Sequence, residues 1–206
     1  MAQHFQLHPT HPQLRLIHRA VEIVRDGGVI AYPTDSSYAL GCTIGDKQAM
    51  ERIRSIREVD ASHNFTLVCS DLSHISLYAK FDNSIYRLLK VLTPGPYTFI
   101  LPATREVPRR LQHPRKRTIG IRVPDYPIVD ALLDELGEPL MSSTLIFPGD
   151  ELPENDPLEI RDRLEHDIDL VIDGGPVDNQ PTTVVDLTDG APKIVREGKG
   201  AVDLLN

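Results

Sequence analysis

The residues best placed for chemistry follow an apolar run. Val29-Ile30-Ala31-Tyr32 stops at Pro33, and Thr34, Asp35, Ser36, Ser37 and Tyr38 come next. Proline has no N–H to give a sheet ladder, so it marks a strand end or an edge. The hydroxyls and the carboxylate then sit where a sheet opens into a crevice, a common place for small ligands. Thr34, Asp35, Ser36 and Tyr38 are therefore candidate ligand contacts. Thr, Asp and Ser are equally ordinary turn residues, and spacing alone favours that second account.

A second set of candidates is cationic. Arg54, Arg57, Arg122 and Arg196 stand singly, and Arg109, Arg110, Arg115, Lys116 and Arg117 form a cluster. Guanidinium groups suit bidentate contacts to phosphate or carboxylate, although a single arginine is more often a solvated ion pair. The cluster reads either as a polar turn before a strand or as an anion or nucleic-acid patch. Its density in a chain of net charge −8 tilts the balance toward the patch.

Other chemistries find little support. The eight histidines show no metal-ligand spacing with cysteine or carboxylate, so no protein-held metal is expected. His63 stands out because it follows the polar 57–62 segment and precedes a strand-like run. Cys42 and Cys69 each lie in an apolar run with no activating neighbour, which predicts buried, reduced thiols. Gly27-Gly28 precedes a strand rather than opening a helix, so it is not a phosphate-binding fingerprint.

These residues need a scaffold. At 206 residues, 40% hydrophobic and 25% charged, the chain reads as one globular domain. It has neither a signal-peptide pattern nor a run long enough to span a membrane, so a cytoplasmic location without membrane contact is expected. Apolar spacing predicts a helix over 12–26, with Leu14, Ile17, Val21 and Val24 on one face and Gly27-Gly28 as its stop. Asp46, Asp71, Asp82 and Asp125 read as caps of four further helices. A short helix is expected over about 157–165. Strands are expected over 29–33, 38–42, 65–69, 97–101, 118–123, 140–144 and 169–173. Asp189-Gly190 joins a closing hairpin of 183–187 and 192–197, and 174–182 reads as a mobile loop. Helical crossovers favour parallel pairs while the hairpin is antiparallel. The expected fold is α/β (α+β), an open, twisted, mixed sheet flanked by helices.

Six motifs in order give the chain a resemblance to the Sua5/YciO/YrdC family, nearest its YciO branch. They are Tyr32-Pro33-Thr34-Asp35 with Tyr38 and Gly41-Cys42, then Thr93-Pro94-Gly95-Pro96-Tyr97-Thr98, then Gly120-Ile121-Arg122-Val123-Pro124. Pro139-Leu140-Met141-Ser142-Ser143-Thr144, Pro181-Thr182-Thr183-Val184-Val185-Asp186 and Arg196-Glu197-Gly198 complete the set. The resemblance implies a YrdC-like fold over residues 1–206 with a concave, locally basic surface. It also implies relatives that make threonylcarbamoyl-AMP from threonine, bicarbonate and ATP with Mg²⁺, for a modified adenosine in tRNA. Thr34, Tyr38 and Ser143 fall on the threonine side, and Arg57, His63, Arg122, Thr144, Thr182 and Arg196 around the nucleotide.

The chain departs from the synthase pattern on the phosphate side. Arg57, Glu58 and Val59 stand where the synthases have Lys-x-Arg, and His63 stands where they have a further lysine. Ser143-Thr144-Leu145-Ile146 replaces Thr-Ser-Ala-Asn, so an isoleucine takes the place of the asparagine. Two function classes follow. The first is a nucleotide- and RNA-binding relative of the synthase, a nucleotidyltransferase with altered phosphate contacts. The second is a non-catalytic module for double-stranded RNA or tRNA that uses Arg109, Arg110, Arg115, Lys116 and Arg117. A monomer or weak dimer is expected in either case.

Overall fold

The computed structural model describes residues 1–205. The chain begins with strand β1 (Gln3–Gln6), helix α1 (Leu14–Arg25), and strands β2 (Ile30–Pro33) and β3 (Tyr38–Thr43). Helix α2 (Lys47–Arg57), strand β4 (Thr66–Val68), helices α3 (Leu72–Tyr78) and α4 (Asn83–Leu92) and strand β5 (Tyr97–Pro102) follow. A 3₁₀ turn at Arg109–Leu111 leads to β6 (Thr118–Arg122), α5 (Pro127–Leu136) and β7 (Leu140–Thr144). Helix α6 (Pro157–Leu164) and strands β8 (Leu170–Asp173), β9 (Thr183–Asp186) and β10 (Lys193–Arg196) complete the order.

The ten strands form one mixed sheet in the order β1-β8-β2-β3-β7-β4-β6-β5-β9-β10. Four neighbouring pairs are parallel and five antiparallel, the balance that helical crossovers mixed with hairpins produce. Strand β1 was not anticipated. Gln3-His4-Phe5-Gln6 carries one large apolar side chain, and only pairing with β8, Gln3 opposite Leu170, makes it a strand.

Side-chain alternation splits the core into two clusters. Ile30 and Tyr32 turn toward α1 and α5, joining Ile17, Val21, Val24, Ile128 and Leu132. Ala31, one residue out of phase, joins the other cluster with Met50, Ile75, Leu89 and Ile160 from α2, α3, α4 and α6. Asp46, Asp71 and Asp82 cap their helices, each accepting the backbone N–H three residues on, in the first turn, at 2.9–3.0 Å.

Two expectations about helices are corrected. Asp125 does not cap α5: Pro127 takes the first helical position and holds Tyr126 extended, so Tyr126 is the N-cap, without a side-chain bond. Leu14 is 74% exposed, because α1 begins at that residue and its buried stripe starts at Ile17. Gly27, at φ +86°, ends α1 as the pattern predicts. Among the described residues, no helix is long and apolar enough to cross a membrane.

Candidate functional site

A cavity of about 450 Å³ lies on one side of the β4-β6-β5-β9 part of the sheet. Its floor is built by strand alternation. Thr66 of β4, Gly120 of β6, Thr98 and Ile100 of β5, and Val184 and Asp186 of β9 all face it. Thr66 pairs with Gly120, Gly120 with Ile100 and Ile100 with Asp186, so these four form one row across four strands, with the Thr98–Val184 pair beside it. Gly120 keeps that floor open, since a Cβ there would stand 3.2 Å from the Thr66 hydroxyl.

One wall comes from the end of α2 and the last turns of β7. Helix α2 stops at Arg57, where Glu58 takes a left-handed conformation at φ +50°, and the 58–65 segment carries His63 back to the same wall. The Arg57 Nη1 donates to Ser143 Oγ at 2.8 Å, and its Nε reaches the Ile146 carbonyl at 3.5 Å. His63 Nε2 lies 2.9 Å from the same Ser143 oxygen and 3.3 Å from Arg57 Nη1. Burial first, then the positive charges of Arg57 and Arg54, push the His63 pKa down to about 4. His63 is therefore neutral at pH 7, and the bonding pattern assigns its proton to Nδ1, leaving Nε2 to accept from the Ser143 hydroxyl. Its ring meets Phe65 edge-on, with centroids 5.5 Å apart.

The opposite wall holds Thr182 and Arg196. A bulge shifts the β9–β10 register between Ile194 and Arg196, which re-aims the arginine. Its Nε and Nη2 both donate to the Thr182 carbonyl, at 3.3 and 2.9 Å. The Thr182 hydroxyl meets that of Thr98 at 2.8 Å. Burial lowers the pKa of both Arg57 and Arg196, yet a guanidinium starts so high that both stay charged. Burial disfavours ionisation of Asp186, but bonds from the Thr188 hydroxyl and amide, with the charges of Lys116 and Lys193, hold its carboxyl below the ordinary value.

The sequence candidates divide on this geometry. Arg57, His63, Ser143, Thr144, Thr182 and Arg196 come together on the cavity, from elements far apart in the chain. Thr34, Tyr38 and Arg122 do not line it. The Thr34 hydroxyl donates to the Ser37 carbonyl at 2.7 Å and accepts the Ser36 and Ser37 amides, so it closes its own turn. The Tyr38 hydroxyl donates to the Gly175 carbonyl at 2.9 Å and accepts the Gly174 amide at 3.2 Å. Arg122 is 7% exposed, and its guanidinium pairs with the Asp35 carboxylate and with Ser36 Oγ. These three residues stitch the 34–38 turn to its neighbours.

The basic cluster occupies the loop between β5 and β6. Arg109, Arg110, Arg115, Lys116 and Arg117 are all exposed, and among the described residues none has a carboxylate within ion-pair distance. Arg109, Lys116 and Arg117 border a groove of about 900 Å³ together with Lys80 and Arg105. Lys116 also lines the smaller cavity, so the two depressions share a cationic edge. The 174–182 segment has neither helix nor strand, as expected, but it is tied to Tyr38, to Asn155 and, through Asp178, to Lys199. Both cysteines are buried and unpaired, and burial drives their thiol pKa values up, that of Cys42 to about 12.

Sequence reasoning missed Thr66, Thr98, Gly120 and Asp186 on the floor. The available signal was the period of two: Thr98 with Ile100, Thr118 with Gly120, and Thr182 with Val184 and Asp186 each share a face.

Comparison with known proteins agrees with this architecture. A family model, Sua5_yciO_yrdC, described as "Telomere recombination", matches residues 22–198. The Escherichia coli (strain K12) protein YciO is 59% identical over 202 residues, covering 98% of both chains. The crystal structure of E. coli YciO superimposes with a TM-score of 0.96 at 58% identity and covers 100% of each chain. A threonylcarbamoyl-AMP synthase of Nitrosococcus oceani is 35% identical over 156 residues, 75% of this chain and 83% of that one. The P. abyssi Sua5 structure, complexed with L-threonine, shares the fold at a TM-score of 0.85 and 24% identity, over 96% of this chain and 57% of that one. With most of its length matched by the family model, the chain belongs to the Sua5/YciO/YrdC family.

Proposed function

We propose that this protein is a nucleotide- and RNA-binding relative of the threonylcarbamoyl-AMP synthases. In this reading the cavity receives an adenine nucleotide together with threonine, and the adjoining basic loop receives RNA. The carrying observation is the meeting of Arg57, Ser143, Thr144, Thr182 and Arg196 around one 450 Å³ space. Such a space, where a few apolar side chains lie among converging polar groups, suits a small ligand. The synthase name of the N. oceani relative and the threonine bound to P. abyssi Sua5 support the same assignment.

In the synthase reaction, a carbamate formed from threonine and bicarbonate attacks the α-phosphorus of ATP and releases pyrophosphate. Arg57 and Arg196 would offset developing phosphate charge, while the Ser143, Thr144 and Thr182 hydroxyls would orient the attacking group. Among the described residues Asp186 is the one carboxylate lining the cavity, so the residues do not form a protein cage for a divalent ion. Magnesium would enter as part of the ATP substrate.

Incubation with ATP, threonine and bicarbonate, followed by detection of the adenylate, tests the chemistry. Titration calorimetry with ATP and threonine, separately and together, tests the site, because a shared site couples the two affinities. Absence of product at high enzyme concentration, with no such coupling, refutes the synthase reading. The second reading, RNA binding without chemistry, is favoured by the five cations of the 109–117 loop, which have no ion-pair partner among the described residues. It predicts salt-sensitive binding of double-stranded RNA or tRNA. Neutralising Arg110, Arg115 and Arg117 together should flatten the slope of log K against log salt by about 2 to 3. Binding that ignores salt rules it out.

A further inference from the structure

The cavity and the larger groove beside it are lined by different chemistry. Besides Arg57, Arg196 and Lys116, the cavity presents Asn64, Thr66, Thr118 and Thr144, whose side chains have no hydrogen-bond partner among the described residues. Amide and hydroxyl groups both donate and accept, whereas an ionised phosphate oxygen only accepts. Asp186 adds one carboxylate oxygen, because Thr188 takes the other. A ligand uses that oxygen only by donating to it, as an exocyclic amine or a ribose hydroxyl does. Ile100, Ile119, Ile146 and Val184 lie among these groups. Neutral donors and acceptors beside apolar surface suit a base and its ribose.

The groove of about 900 Å³ has the opposite character. Lys80, Arg105, Arg109, Lys116 and Arg117 border it, all exposed, and among the described residues no carboxylate lines it. That is the footprint of a run of phosphates. His113 and Lys116 line both depressions. A third, of about 150 Å³, sets His63, Asn64 and Phe65 of the cavity wall beside Arg109, Gln112 and Pro114 of the groove. The two sites therefore adjoin around one loop, with cations outside and neutral polar groups within. A free nucleotide leaves the groove's cations unused. A duplex, with its bases stacked and paired, leaves the cavity's amide and hydroxyls unused. We infer that the cavity and the groove hold one ligand, a single-stranded RNA whose phosphates follow the groove and whose unpaired nucleotide enters the cavity. This rests on the RNA reading above and sharpens it: the RNA is held by an unpaired nucleotide, and RNA and free nucleotide exclude each other.

Fluorescence anisotropy of the full chain with a labelled oligoadenylate and with a blunt RNA duplex of equal phosphate count tests the inference. Electrostatics alone favours the duplex, whose charge density is higher, so a preference for the single strand reads the cavity. The single strand should bind about tenfold more tightly, the size of one well-seated base. Excess AMP should bring it down to the duplex affinity and leave the duplex unmoved. T66V/T144V removes two unengaged hydroxyls at constant charge and shape, and should weaken the single strand at least about threefold without moving the duplex. K80Q/R105Q removes phosphate contacts alone and should weaken both RNAs by a similar factor. Equal affinity for the two RNAs overturns the inference, as does single-strand binding that ignores both AMP and T66V/T144V. Binding of neither RNA refutes the RNA reading itself, a distinct outcome.

Discussion

Replacing Asp35 by asparagine probes the junction that holds the 34–38 turn to the sheet. The Asp35 and Arg122 side chains are 10% and 8% exposed. One Asp35 oxygen takes the Arg122 Nη2, and the other accepts the Asp125 amide at 2.9 Å. Arg122 Nη1 reaches Ser36 Oγ at 3.3 Å, and its Nε is buried without a partner. Removing the carboxylate charge leaves a buried guanidinium with one hydroxyl and one amide oxygen for support. Breaking a buried pair costs about 3–5 kcal/mol, and the amide oxygen that D35N retains places the loss near 3. With an m-value of about 2 kcal/mol per molar urea, the unfolding midpoint should fall by about 1.5 M. The double variant D35N/R122M strands no charge and should lose less than half as much. Urea unfolding followed by circular dichroism measures both. A midpoint change below about 0.5 M at constant m refutes the reasoning, as does a double variant less stable than D35N.

Two further outcomes follow from the same structure. His63 has a folded pKa of about 4 against an ordinary 6.5, so between those values the unfolded chain binds more protons. Its contribution to stability is whole above pH 6.5 and declines as pH falls toward 4; H63Q should remove that part of the pH profile, and an unchanged profile in denaturant titrations at pH 4.5 and 7 would count against it. Tyr38→Phe leaves the Gly174 amide and the Gly175 carbonyl without their shared partner. It should cost about 1–2 kcal/mol and open the 174–182 segment to limited proteolysis, whereas unaltered cleavage there would show the hydroxyl is not its anchor.

Where the sequence was legible, one physical rule acted locally. Asp46, Asp71 and Asp82 cap their helices because a side chain three residues back in the chain reaches an orphan N–H whatever surrounds it. Asp125 failed at the same task because Pro127 holds the residue before it, Tyr126, in an extended conformation, so the helix starts one residue later and Tyr126 takes the cap position. Strand β1 was illegible because its reason for being a strand lies in β8, more than one hundred residues away.

The 34–38 turn marks the same boundary at the site. Residue types alone identified it as a cluster of hydroxyls and a carboxylate at a strand end, and the motif order identified the family. Whether those groups face a ligand or each other depends on neighbours that only folding supplies. Thr34 closes its own turn, Tyr38 holds Gly174 and Gly175, and Asp35 neutralises Arg122, all through contacts absent from local sequence. The sequence by itself determined where the helices lie and three of their caps, the strand alternation and the reservoir of cations. Tertiary structure decided which of those side chains meet around one cavity, because sheet order sets Ser143 beside Arg57 and His63, and Thr182 beside Arg196. The period-two row from Thr66 to Asp186 was written in the chain, but four strands had to be laid side by side before it became a floor.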